Sequence, residues 1–282
     1  MLYRNHSRII LFFLFFSYLA FAQTEKVDSL RGRFTYSLHY KPNKLNKEIV
    51  LQEFLSLQVS DDRAFFISEN KLKYDSILSA QMKLIDGTYQ VDMRNFTPNG
   101  PMSSFLLIQN NEDSKYYQSI DRAVLFYSTP VLKDWKLIDE TKIINSVECK
   151  KAEIHHKGRD WIAWYATNIP FPYGPHIFNG LPGLIVKITD NTGDFDFELI
   201  KSVPSSKLKG QVITIRKSRY KNAKRVSKKE LIAAKDNYRY NVKQQLTDQG
   251  TTFSNNQTET PKERQLRTER ERNERNPIEL ED

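Results

Sequence analysis

Between Phe34 and Arg216, turn residues cut the chain about every ten residues, which leaves room for short strands and little else. Phe34, Tyr36, Leu38 and Tyr40 alternate with Thr35, Ser37 and His39, so the large side chains share one face of a pleat. Pro42-Asn43 turns the chain. Glu48–Val59 then gives a second strand whose parity is broken at Phe54, Asp61-Asp62 turns it again, and Arg63–Ser68 returns. The same reading places strands at 104–109, 115–119, 124–128, 135–138, 147–155, 160–166, 184–190, 195–203 and 212–216. The pair 184–203 is a hairpin turning on Asn191-Thr192-Gly193-Asp194. The expected fold is mainly β: a single curved antiparallel sheet, as a half-barrel or a sandwich, with one or two helices packed on it.

Two segments depart from period two. In 69–83, Tyr74, Ile77, Leu78 and Met82 recur at helical spacing. At 227–249, Ser227 and Glu230 form a capping-box pattern, Val226 and Leu231 a hydrophobic staple. Leu231, Ala234, Tyr238, Val242 and Leu246 mark one helical face, expected to dock on the sheet, and Gly250 is the stop. Residues 251–282 are charged and lack an apolar period, the composition of a disordered tail. The tail ends Asn276-Pro-Ile-Glu-Leu-Glu-Asp, which can dock as an added strand or peptide ligand, or fray.

The start of the chain bears on compartment. Arg4 and Arg8 precede the apolar run Ile9–Phe16, and Ala20-Phe21-Ala22 offers a small-residue cleavage site. That order is the build of a secretory signal peptide over 1–22, implying an exported protein, periplasmic or extracellular. The run is shorter than the roughly 20 residues that span a bilayer. Residues 23–250 are then one β domain, soluble after cleavage. Net charge is +9 overall. From Lys201 onward 20 Lys and Arg face 11 Asp and Glu, while 23–200 is slightly acidic. A basic end on a near-neutral body fits an acidic surface, such as anionic lipid or a protein patch, as well as a solvated tail. Nucleic acid is not an expected partner of an exported protein. Cys149 is the single Cys, which excludes an internal disulfide, and its alternation with Val147 places it facing the core.

The densest cluster of Trp, Pro and Gly is 161–188. Trp161, Ala163 and Tyr165 share one strand face and Trp164 lies on the other, so that strand is covered on both sides. Pro170 ends it. Gly174, Pro175, Phe178, Gly180, Leu181, Pro182, Gly183, Leu184 and Ile185 then compose a stiff loop laid over the sheet, structural or a binding rim. Together with Trp135-Lys-Leu137, Cys149-Lys-Lys-Ala152 and the terminal Asn276-Pro-Ile-Glu-Leu280, this stretch resembles the GLPGLI family of secreted Bacteroidota proteins. The resemblance implies work near the outer membrane, with TonB-dependent receptors or lipid as partners, and no established activity. The order of aromatic strand, Pro-rich crossover and return hairpin is also similar, at fold level, to lipoprotein carriers of the LolA type, half-barrels with a helix plugging an apolar cavity.

No catalytic motif stands out. There is no G-x-S-x-G elbow, no H-E-x-x-H and no phosphate loop. His155 and His156 are adjacent and point to opposite faces of a strand, so no metal and no cofactor are expected. Asp194 and Asp196 flank a hairpin turn, where solvated charge is expected. The two readings are a non-enzymatic envelope protein binding an apolar or lipid-linked ligand or an outer-membrane partner, and a hydrolase with an unrecognised site. The second would need Cys149 within reach of His155 or His176.

Overall fold

The computed structural model describes residues 28–85, 88–90, 97–98, 100–248 and 260–280. The expected signal peptide (1–22), the stop at Gly250 and the segment 251–259 lie outside the described residues. The described residues contain no helix long and apolar enough to cross a membrane.

Along the chain run β1 (Gly32–Tyr40), β2 (Leu51–Val59), β3 (Ala64–Ser68), α1 (Glu69–Gln81), the small hairpin β4 (Lys83–Ile85) and β5 (Thr88–Gln90), β6 (Phe105–Gln109), β7 (Asp113–Ile120) and β8 (Ala123–Pro130). There follow β9 (Lys136–Ile144), β10 (Val147–His156), β11 (Arg159–Ala166), β12 (Leu184–Asp190), β13 (Phe195–Val203), β14 (Lys224–Arg225), α2 (Lys228–Asp248) and α3 (Pro261–Glu274). All strands but β4 and β5 form one 12-stranded sheet in the order β14-β8-β7-β6-β3-β2-β1-β13-β12-β11-β10-β9. The sheet is curved and open, as the strand spacing predicts, and not a sandwich. Neighbours pair antiparallel, apart from the parallel bridge of β14 to β8.

The β1–β13 pairing sits mid-sheet and joins the two ends of the meander, with Tyr36 opposite Leu55 on one side and Leu199 on the other. The inner face carries the large core: Phe34, Tyr36, Leu55, Leu57, Phe66 and Phe197 with Trp161 and Ile188. The outer face carries a smaller cluster of Phe65, Ile67, Leu106, Ile108 and Tyr117. Its apolar cover comes from Ile215, Ile213, Leu72 and Tyr220.

Four expectations need correction. Residues 212–216 are not a strand. They pair only at one isolated bridge, Val212 with Ser29, where the Ile213 amide donates to the Asp28 carbonyl at 2.9 Å; beyond it Gln58 takes over, accepting from the Thr214 amide at 3.1 Å and donating to its hydroxyl at 3.0 Å. The strand at 135–138 runs on to Ile144 as a charged edge. The helix at 227–249 forms with its capping box, the Glu230 amide donating to Ser227 Oγ at 3.1 Å. Its expected stripe reaches the sheet only at its first turn, through buried Leu231, while Leu246 is exposed. Farther along, α2 turns the buried carboxylate of Asp236 toward Arg272 and Arg275 of the α3 end. The fourth concerns the tail. Residues 261–274 are a helix, opened by Thr260 and Glu263 in a second capping box with Pro261 in the first turn. An apolar period is not what holds it; the cap, the Arg267–Glu271 pair at 2.9 Å and the Asp236 contacts do.

Candidate functional site

The loop between β11 and β12 fills the inner face. Tyr36 donates to the Ile185 carbonyl at 2.6 Å from a fully buried position. Gln109 donates to the carbonyls of Gly174 (3.0 Å) and His176. Asn179 accepts from the Leu132 amide (3.1 Å), donates to Ser114 (2.8 Å), and its carbonyl takes the Trp135 indole N–H at 2.8 Å. These three polar side chains answer loop carbonyls and amides that would otherwise be buried without partners. Trp161 packs on Phe178 with ring centroids 4.5 Å apart. The motif glycines are set by close approach: a Cβ on Gly180 would overlap the Leu132 carbonyl, and one on Gly183 the Ala166 carbonyl. Of the thirteen motif residues, Trp161, Trp164, Tyr165, Gly174, Pro175, Phe178, Leu181, Gly183, Leu184 and Ile185 are buried, and only Pro170, Gly180 and Pro182 are exposed. The loop is a plug whose tip carries His176.

His176 has φ 53, a left-handed backbone that a non-glycine residue seldom adopts. Its ring stands among Phe105, Tyr116 and Phe178, and its buried Nδ1 has no partner among the described residues. Burial pushes its pKa down to about 4, with Glu279 opposing and His156 and Lys228 adding to the shift. Tyr116 and Tyr127 stack at 5.1 Å beside it. Above them lies a cavity of about 530 Å³ between the sheet, α2 and residues 277–280. Tyr116, Tyr127 and His176 form its floor, Leu231, Ile232, Ile278 and Leu280 its apolar walls, and Lys44, Lys235, Arg272 and Arg275 its basic rim. A wider hollow of about 1000 Å³ adjoins it across Tyr127, Lys228 and Glu279.

The C-terminal wall of the cavity is held by a buried ionic clamp. Arg159 reaches Asp190 at 2.7 Å and Asp194 at 3.5 Å. Its other arm donates to Asn276 Oδ1 at 2.6 Å and to the Pro277 carbonyl at 2.9 Å. Asn276 in turn donates to Asp194 at 3.0 Å and to the Lys41 carbonyl at 2.9 Å. For the Asp194 carboxyl, burial is outweighed by hydrogen bonds from Lys47 and Asn276, which hold its pKa below the usual range. The turn expected to be solvated thus has Asp194 at its centre, 3% exposed. Beyond the clamp, Ile278 packs on the core, Glu279 pairs with Lys228 at 2.8 Å, and the Leu280 amide donates to the Lys157 carbonyl at 2.9 Å.

The nucleophile reading meets a different geometry. Cys149 is fully buried, its thiol lies 3.4 Å from the Val147 carbonyl, and burial raises its pKa to about 11. His155 is exposed and bonds Asp160 at 2.7 Å, on the other side of its strand from His156. Neither His155 nor His176 is a partner of Cys149. Among the described residues, no three His, Cys, Asp or Glu side chains converge to hold a metal. The thiol is therefore expected to stay unreactive to a thiol reagent at pH 8 in the native protein and to react only as the chain unfolds. Prompt native labelling would contradict that burial. The sequence reading singled out His176 but missed Tyr116, Tyr127, Lys228 and Lys235, whose convergence depends on which strands and helix end neighbour the plug.

Among solved structures, that of PNGF-II shares 15% identity over 75% of this chain, with a TM-score of 0.50. This chain covers 34% of that protein's length, and the likeness is one of fold. An uncharacterized conserved protein from Thermus thermophilus aligns over 70% of this chain and 91% of its own at 10% identity, with a TM-score of 0.31. No curated protein matches the sequence. Residues 153–187, the aromatic strand with its plug, match a family described as a protein of unknown function (Porph_ging). The match is to a family of GLPGLI type and covers that segment alone.

Proposed function

We propose that this is an exported, non-enzymatic binding protein of the cell envelope, and that its ligand is an anionic amphiphile, an apolar or lipid-linked chain ending in a carboxylate or phosphate. The observation that carries the reading is the cavity with apolar walls and a basic rim over Tyr116, Tyr127 and His176. Pockets of a few hundred Å³ with few polar groups are the usual form of a small-molecule site. Lys235 sharpens the ligand's sign. Burial lowers its pKa, Arg239 and Arg275 lower it further, and Asp236 alone opposes. A ligand anion at the rim would relieve that crowding. The LolA-type analogy concerns use alone: in this chain the Gly-Pro loop packs on the inner face, and the free volume lies beside it. A TonB-dependent receptor type of outer-membrane protein remains the proposed partner for delivery or uptake.

The test is calorimetric titration with dodecyl phosphate and dodecanoate, below their micellar range, against dodecanol. Saturable one-to-one binding of the anions is expected, about tenfold weaker in Lys235→Gln, the loss of one charged hydrogen bond. Equal binding of dodecanol, or an unchanged Lys235→Gln, would count against the reading.

A further inference from the structure

The outer face holds a second site of different character. A cleft of about 410 Å³ runs between one flank of α1 and the sheet, floored by Ser56 and Gln58 and lined by Arg33, Glu69, Lys73 and Arg216. A helix laid on a sheet normally meets it with an apolar stripe. In α1 the single fully buried residue among those described is Asp75. The sheet answers with polar residues: Arg33 stands opposite Gln58, and Thr35 opposite Ser56.

Among the described residues, the acids of this cleft are already engaged and the cations are not. Both oxygens of Asp75 accept from Arg219 at 2.6 Å, and Glu69 accepts from Thr35 at 3.3 Å. Arg33 Nε is buried without a partner, and Arg216 and Lys73 make no ion pair among the described residues. Ser56, 1% exposed, has a buried hydroxyl that also lacks a partner among the described residues. Gln58 is turned to Thr214, which fixes the floor. Buried donors without acceptors are rare in folded proteins, and here two of them sit beside free positive charge. Ser76 adds a hydroxyl along the open side, and Ser79, whose hydroxyl donates to the Asp75 carbonyl at 2.9 Å, adds an acceptor oxygen.

We propose that this cleft binds a small oxyanion, a phosphate or carboxylate, borne on a hydroxyl-bearing molecule. The two guanidinium groups take the anion, since their forked donors match its oxygens, and the serine and threonine hydroxyls take the body. The site is independent of the amphiphile cavity, being on the opposite face of the sheet.

Calorimetry with glucose 6-phosphate and citrate as probes tests it, with glucose and inorganic phosphate as controls. Saturable binding of at least one probe is expected, weakened about tenfold or more by Arg216→Gln and unchanged by Lys235→Gln. Arg216 lies outside the sheet's ladders, so its variant should fold; an unchanged melting curve checks this, and Ser76→Ala supplies a milder second variant with a few-fold loss. No binding of either probe at millimolar concentration, or binding that Arg216→Gln leaves intact, would overturn the proposal. Inorganic phosphate binding as tightly as glucose 6-phosphate would overturn the hydroxyl-bearing part.

Discussion

Replacing Arg159 with Ala is expected to cost about 3–5 kcal/mol of stability and to free the C-terminal segment. The charge sits 4% exposed between Asp190 and Asp194, and its removal leaves the buried Asp190 carboxylate without its cation and Asp194 with Lys47 and Lys41 alone. It also removes both donors that hold Asn276 and the Pro277 carbonyl. Urea unfolding at neutral pH should show the midpoint falling sharply. Limited proteolysis of the folded variant should clip after α3, where the parent resists. Arg159→Lys keeps the charge but cannot reach both Asp190 and Asn276, so it should fall between the two. A loss below about 1 kcal/mol would mean that water replaces the guanidinium, and that the clamp is weaker than its geometry implies.

The second large effect is one of pH. His176 has its ordinary pKa of 6.5 in the unfolded chain and one of about 4 when folded, so the unfolded state binds the extra proton in between. Stability contributed by the neutral ring is complete above pH 6.5 and is lost as pH falls toward 4. At about 1.4 kcal/mol per pKa unit, the loss comes to about 3 kcal/mol. The groups around the ring are Glu279, His156 and Lys228, with Tyr116 facing it from β7. His156 is also shifted down, chiefly by burial, and adds to the slope in the same direction. His176→Asn keeps a residue that tolerates the left-handed backbone and removes the titration. Subtracting its stability-versus-pH curve from the parent's should leave a step between pH 6.5 and 4. A flat difference would show that the ring is protonated, or wetted, in the native protein.

These expectations differ in how far the sequence could have produced them. The sheet was legible because alternation is local: Phe34, Tyr36 and Leu38 announce an inner face without reference to any partner. The capping box of Ser227 and Glu230 was legible for the same reason. Thr260 and Glu263 carry the same signature, but the residues after it are charged and show no apolar period, so composition alone reads as a tail. Part of what holds α3 is Asp236, which lies on another helix. The plug could be read as stiff from its Pro and Gly residues, but not as satisfied, because Gln109 and Asn179 are ordinary amides until the fold brings them to buried carbonyls. Asp194 was misread on a sound local rule, that hairpin turns are wet, because Arg159 and Asn276 arrive from elsewhere in the chain. Both candidate cavities are non-local in this sense. Lys235 meets Tyr116 only through α2, and Arg33 meets Arg216 only through the segment that crosses the outer face.

The position of β1 has a consequence in time. Most strands pair with sequence neighbours, and such hairpins close within microseconds. The β1–β13 seam joins residues roughly 160 positions apart, with Tyr36 opposite Leu199. Loop closure over that distance cannot be rewarded until most of the meander exists, and non-local pairing of this kind slows folding. Until the seam zips, β13 is an open edge, and Phe195, Phe197 and Leu199 lack their partners on β1. Half-sheets formed before the seam would be mutually adhesive, and concentration should then decide between joining within one chain and joining across two.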